Sequence, residues 1–256
     1  MPDKGPSRVV GEQTFPDIAR RVTARSVLCL PFGSVEQHGP HLPLNTDAVL
    51  AEEFTRRILA RWGEALDLWQ LPALAIGLAR EHEWAPGTLS LSVEGMTALV
   101  HDLGRTIARA LPTRNLAIVN CHGGNRGILD ALILDLVADY DLNVCVLHPT
   151  VWAEGMESTL APDIHGGKVE TSLMLAAAPH LVRMQRLGDA KLPAPDKVGQ
   201  VILDPAVSWP WTSDDERIAS MGVIGDAKAA SAAFGERLFA HAVEKAGGAL
   251  KALAER

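Results

Sequence analysis

Apolar positions along this chain fall into two alternating rhythms. Short, nearly unbroken apolar runs at 26–32, 68–76, 116–119 and 142–147 predict strands buried on both faces. Between them, apolar residues spaced for one helix face predict helices over 48–62, 93–111 and 128–140. Val49, Leu50, Phe54, Ile58 and Leu59 mark the first of these. Pro72 cannot donate to a ladder, so the second run is expected to be an edge strand or to bend. A further helix is predicted over 168–178, stopped near Pro179, and an alanine-rich one over 229–253. Strands alternating with amphipathic helices predict an α/β fold with a mainly parallel sheet covered on both faces. Residues 187–227, dominated by loop containing Pro and Asp, read as an irregular excursion from a single domain spanning 1–256.

Composition narrows the class of protein. The 256 residues are 47% hydrophobic and 21% charged, ordinary for a packed globular chain. A net charge of -7 without any lysine- or arginine-rich run argues against nucleic acid and gives no reason for an anionic membrane surface. No apolar stretch is long enough to span a bilayer, and residues 1–13 are polar and lack a signal core. A cytoplasmic location is the expectation. Cys29, Cys121 and Cys145 are odd in number and lie in or beside apolar runs, which predicts small buried hydrophobes rather than a disulfide framework. Cys121 directly precedes His122, so a nucleophilic cysteine is the lesser alternative.

The candidate chemistry sits where strands end. In open α/β sheets, ligands bind beyond the carboxyl ends of the strands. The loop after the first strand carries Glu36, His38, His41 and Asp47 among glycines and prolines. Glu36 and His38 are two apart, so extended backbone points both side chains to one face. Asp47 can return to the same place after the turn between Pro40 and Pro43. Mixed imidazole and carboxylate donors suit zinc, manganese or iron better than calcium or magnesium. A carboxylate bridging ions about 3.5–4 Å apart would make a two-metal hydrolytic site. The competing reading is that these residues cap helices and satisfy turns, and for Asp47 alone capping is the stronger one. Other candidates are His82, His122 with Gly124 and Asn125, and His165 with Glu170. A glycine-rich strand-to-helix turn explains the His122 loop equally well on its own.

Together these segments resemble the creatininase (creatinine amidohydrolase) family. The resemblance rests on residues 33–43 with Asp47, Pro86-Gly87-Thr88-Leu89-Ser90, His122-Gly123-Gly124-Asn125, His165-Gly166-Gly167 with Glu170, and Gly222-Val223-Ile224-Gly225-Asp226. It implies a three-layer α/β/α sandwich, a homohexamer, and two divalent metal ions, zinc or manganese. It further implies Glu36, His38, Asp47, His122 and Glu170 as metal ligands, with Asp47 bridging and His165 as proton shuttle. Trp152 resembles a tryptophan that closes over creatinine in the family, and Asn125 with Gly124 would position substrate.

Two departures separate the chain from creatininase proper. Gly124 stands where creatininase has a metal-binding glutamate, and Ile164 where it has a glutamate before the catalytic histidine. A second substrate-covering tryptophan expected shortly before His165 is missing, and Trp209 or Trp211 is a candidate replacement. These departures weigh against creatinine as substrate. The expected function is metal-dependent hydrolysis of an amide C–N bond in a small cyclic amide or related compound. A peptidase of the mycofactocin-precursor type and a hydrolase opening a cyclic ketone ring are the alternatives within the family. A non-catalytic metal or small-molecule binder is the alternative outside it.

Overall fold

The computed structural model describes residues 7–154, 162–188, 191 and 195–256. In chain order these form α1 (Phe15–Arg21), β1 (Val27–Phe32), α2 (Thr46–Trp62), β2 (Leu68–Gln70), α3 (Val93–Ala110), β3 (Asn115–Asn120), α4 (Arg126–Tyr140), β4 (Asn143–Leu147), α5 (Pro149–Glu154), α6 (Lys168–Ala177), α7 (Pro195–Val201) and α8 (Ala232–Ala254). Two short 3-10 turns, Arg80–His82 and Gly123–Asn125, lie between β2 and α3 and between β3 and α4. The four strands make one parallel sheet in the order β2-β1-β3-β4.

The layering arises from the two-residue alternation of strand side chains. Val27 and Cys29 of β1, with Ala117 and Val119 of β3, face a cluster built on α2, α6 and α8. Leu28, Leu30 and Phe32, with Leu116 and Ile118, face the opposite cluster on α3 and α4. Both faces of the central strands are thus covered by helix, so β1 and β3 are buried at every position. In the first layer Phe54 of α2 meets Phe239 of α8, ring centroids 4.5 Å apart and tilted by 55°. Truncating either to alanine should cost about 3–5 kcal/mol.

The second strand is shorter than its apolar run predicts. β2 stops at Gln70, and 71–76 leaves the ladder while Leu71 and Leu74 still donate their N–H groups to the carbonyls of Cys29 and Pro31. Pro72 at a sheet edge accounts for the break. Helix α2 begins at Thr46, slightly earlier than the apolar spacing suggests, which puts Asp47 inside its first turn. The short helices α5 and α7 had no periodic signal. Part of the 187–227 excursion, residues 189–190 and 192–194, lies outside the described residues. None of the described helices is long and apolar enough to cross a membrane.

Candidate metal centre

The C-terminal ends of β1 and β3 deliver the first donors, as expected for an open parallel sheet. Glu36 and His38 lie just beyond β1, and His122 just beyond β3. Gly33 turns the chain out of β1 so closely against α2 that a Cβ there would meet the Asp47 carbonyl carbon 2.6 Å away. This close approach is what carries Asp47, in the first turn of α2, to the same place. Glu170 arrives from the first turn of α6, and His165 from the loop before it. Asp163 accepts hydrogen bonds from the N–H groups of Lys168 (2.9 Å) and Val169 (2.8 Å), and so fixes the start of α6.

The distances group these side chains tightly. His38 Nε2 lies 3.1 Å from Asp47 Oδ1 and 3.8 Å from Glu170 Oε2. His122 Nδ1 lies 3.1 Å from Asp47 Oδ2 and 3.2 Å from Glu36 Oε2. Asp47 stands between the two histidines, one oxygen to each. The donor atoms form the sets Glu36/Asp47/His122, His38/Asp47/Glu170 and Glu36/His38/His165, each compact enough to hold one cation. The N-cap of α2 is Asn45, while Asp47 turns Oδ1 to His38 and leaves Oδ2 without a hydrogen bond, so the helix-capping alternative for it does not describe the fold.

Tautomers decide what these atoms can do. The Nδ1 of His38 lies 3.2 Å from the Glu36 carbonyl, which can only accept, so Nδ1 carries a proton and Nε2, turned to Asp47, is the nitrogen that gains or loses one. By the same argument His122 donates Nε2–H to the Leu78 carbonyl and turns Nδ1, its titrating nitrogen, to the carboxylates. His165 donates Nε2–H to the Gln37 carbonyl at 2.6 Å, leaving its Nδ1 3.7 Å from Glu36 Oε1. Each ring has one nitrogen tied to backbone and the other facing carboxylate. That is the outer support that metal-ligating histidines use. Both carboxylate oxygens of Glu36 and Asp47 Oδ2 are buried without a hydrogen-bond partner among the described residues. Buried carboxylate oxygens gathered on the titrating nitrogens of two imidazoles fit a divalent cation that displaces the protons there.

Without a metal, the carboxylates hold protons on these two rings. Burial would lower His38, but the Asp47 carboxylate outweighs it and holds the ring up at about 10. Burial likewise opposes charge on His122, and Glu36 and Asp47 hold it well above its ordinary value. Burial raises the Glu36 carboxyl against the pull of His122. It also raises Glu170, to about 8. Asp47 is pushed up by burial but held well below the usual carboxylate range by His38 and His122. His165 and His82 are different: burial keeps His165 well below its ordinary value and His82 down at about 3. Both are neutral near pH 7, and they stack at 4.0 Å between ring centroids.

The centre opens onto a cavity of about 530 Å³, lined by Glu36, His82, His122, His165 and Glu170, by Gly123 and Gly124, and by Arg80, Glu81, Ile164 and residues 209–212. Trp209 and Trp211 therefore stand at its wall, on the excursion. The sequence-predicted substrate contacts divide here. Gly124 and His82 line the cavity. Asn125 does not: its buried amide donates to the Gly33 carbonyl and accepts from the Leu78 N–H, both at 3.0 Å, and so ties three loops together. Trp152 is partly buried and packs from α5 against the α2/α6/α8 cluster, and it does not line the cavity. Cys121 is buried with its thiol pushed up by burial, which suits packing and not nucleophilic attack.

Sequence reasoning passed over Glu81. Its Oε1 lies 3.8 Å from His122 Nε2 and 4.0 Å from His82 Nε2, beside Gly124. A Cβ at 124 would come within 2.8 Å of that oxygen and 2.5 Å of His122 Nε2. The only hint was an acidic residue next to His82 in a charged stretch.

Comparison with known proteins agrees with this geometry. The family model Creatininase, described as creatinine amidohydrolase, matches residues 11–250. The mycofactocin precursor peptide peptidase of Mycobacterium tuberculosis is 33% identical over 250 residues, which cover 92% of this chain and 89% of that one. The creatinine amidohydrolase of Pseudomonas putida is 32% identical over 252 residues, 89% of this chain and 90% of its own. A solved structure described as creatininase Mn aligns at a TM-score of 0.74 and 28% identity, covering 96% of this chain and 98% of the other. A mutant creatininase of Zn-Zn type aligns at 0.75 and 29%, with the same coverage. With its parallel sheet, its buried histidine–carboxylate cluster and a match over nearly its whole length, this protein belongs to the creatininase family.

Proposed function

We propose that this protein is a binuclear metal-dependent amidohydrolase that breaks a C–N bond in a small cyclic amide or related compound. The observation that carries the reading is the convergence of His38 Nε2 and His122 Nδ1, each ring tied to backbone through its other nitrogen, on the buried oxygens of Glu36 and Asp47. Glu36, Asp47 and His122 would hold one ion, and His38, Asp47 and Glu170 the other, with Asp47 shared. Zinc and manganese are the ions we favour, and the donor set also admits iron. Such ions acidify a bound water from a pKa of 15.7 toward roughly 7 and polarise the scissile carbonyl.

The protein's own residues do the rest. His165 is neutral and its Nδ1 faces the Glu36 side of the cavity. It takes the proton released as the water attacks and passes it to the leaving nitrogen, a step worth about 10²–10⁴-fold. The Gln37 carbonyl, accepting from Nε2–H, holds the ring's orientation and favours the imidazolium that forms in between. Trp209 and Trp211 wall the cavity and shield a bound substrate from solvent, while Glu81 offers a carboxylate to a donor group on it.

A second reading, trimming of a peptide precursor, is favoured by the size of the same cavity. About 530 Å³ with two tryptophans on one wall accommodates an aromatic or aliphatic side chain as readily as a small ring. An assay of the zinc- and manganese-loaded protein against cyclic amides, formamides and short peptides tests both. Chelator-sensitive release of an amine is the expected result. Ring opening of a cyclic ketone, with no amine released, or tight binding with no turnover of any member, would overturn it. Assembly as a homohexamer enters this reading through the family resemblance, and sedimentation velocity tests it.

A further inference from the structure

His82 breaks the pattern of the other three site histidines. Its Nδ1 faces no carbonyl or carboxylate but the Ser213 hydroxyl, at 2.7 Å, and the Gln37 amide nitrogen, at 3.1 Å. Its Nε2 points to Glu36 Oε1, at 3.3 Å.

The proton positions emerge from counting donors. Trp84 Nε1–H can only donate, and it does so to Ser213 Oγ at 2.8 Å. The Gln37 amide is fixed in orientation, since its Oε1 accepts from the Gly39 N–H at 2.8 Å and its nitrogen donates to the Gly222 carbonyl at 3.1 Å. That nitrogen also donates to Ser213 Oγ, at 2.9 Å. Both lone pairs of the serine are then in use. Its single O–H has one close acceptor, His82 Nδ1; the Glu81 carbonyl is farther, at 3.4 Å. Nδ1 must therefore be bare, and the ring proton is on Nε2.

We propose that Ser213 is a positioning residue: it holds His82 in the Nε2–H tautomer, so that the ring faces Glu36 Oε1, still without a hydrogen bond at 3.3 Å, with a proton it can donate once that carboxylate turns to ligate a metal. His82 is then a donor to the centre and not a ligand of it. The inference rests on the reading of Glu36 as a ligand. It also gives the excursion a second task. Ser213 is pinned by its own N–H to the Glu81 carbonyl at 3.0 Å, and Trp211 meets the His82 ring edge-on at 6.1 Å. The segment that walls the cavity with tryptophan is the same one that sets the proton on His82.

The test uses the full chain with ¹⁵N-labelled histidine, loaded with zinc, the His82 signals being identified by their loss in His82→Gln. The long-range ¹⁵N–¹H pattern should show His82 protonated at Nε2; an Nδ1–H tautomer overturns the proposal. Ser213→Ala should weaken zinc binding by about 10–100-fold, the usual effect of losing such an outer partner, with an unchanged circular dichroism spectrum. Glu36→Gln, measured in parallel, separates the two readings. If zinc binding depends on Glu36 but Ser213→Ala binds within twofold of the native protein, this inference fails alone. If Glu36→Gln also keeps native zinc affinity, the metal reading fails with it.

Discussion

His122 and Asp47 meet at 3.1 Å, Nδ1 to Oδ2, in a site dry enough that something positive must lie between them. The His122 ring donates its Nε2–H to the Leu78 carbonyl, so Nδ1 is the nitrogen left for a proton or a metal ion. His38 Nε2 stands in the same relation to the other oxygen of Asp47. This pairing makes the ligand set specific and open to test.

His165→Ala should separate chemistry from metal binding. Its Nε2–H is committed to Gln37 and its ring stacks on His38 and His82, so the loss falls on proton transfer. Turnover should drop by about 10²–10⁴-fold with metal content unchanged by elemental analysis. Unchanged turnover would remove it from the mechanism.

Glu81→Gln should act on substrate. A carboxylate at the cavity wall that loses its charge gives up a charge-assisted hydrogen bond, worth about 1.5–3 kcal/mol, so KM should rise roughly 10–100-fold. Zinc affinity should not change, because the oxygen stands 3.8 Å from the His122 nitrogen that is already tied to backbone. Steady-state kinetics with a zinc titration distinguish this from a ligand role.

Stability of the metal-stripped protein should fall as the pH rises. His38 is held up at about 10 against an ordinary 6.5, and Glu170 at about 8 against 4.5. Both folded-state values are raised, so their contribution is complete below the unfolded values and is lost as pH climbs through about 8 and then about 10. Thermal unfolding in chelator should therefore show Tm declining from about pH 7 to pH 10. Zinc should reverse the trend, since deprotonated ligands bind it more tightly. A Tm in chelator that rises across this window would contradict the account.

Gly124→Ala should be costly despite its small size. The added Cβ would press on the Leu78 carbonyl, His122 Nε2 and Glu81 Oε1 together, an overpacking expected to cost about 1–3 kcal/mol. Denaturant unfolding measures the loss. A glutamate at 124 would meet the same wall, and in the proposed two-metal reading Glu170 on α6 would supply the remaining carboxylate.

Much of the fold was legible because β1 and β3, buried on both faces, read as unbroken apolar runs, and α3 as a clean stripe. The end of β2 was not, since Pro72 removes ladder bonds without changing the apolar pattern. In the site, Glu36, His38 and Asp47 were visible because one loop carries all of them. Glu81 and Ser213 were not. They meet only through a contact across 132 residues, and a loop serine gives no local signal. Trp152 could not be placed from its position alone: it is partly buried against the α2/α6/α8 cluster, whereas Trp209 and Trp211 of the excursion line the cavity.

Anomalous diffraction from crystals of the zinc- or manganese-loaded protein tests the central claim most directly. Two peaks are expected, one among Glu36, Asp47 and His122 and one among His38, Asp47 and Glu170, with Asp47 reaching both. A single peak, or two that leave Asp47 or Glu170 without a metal contact, would contradict it.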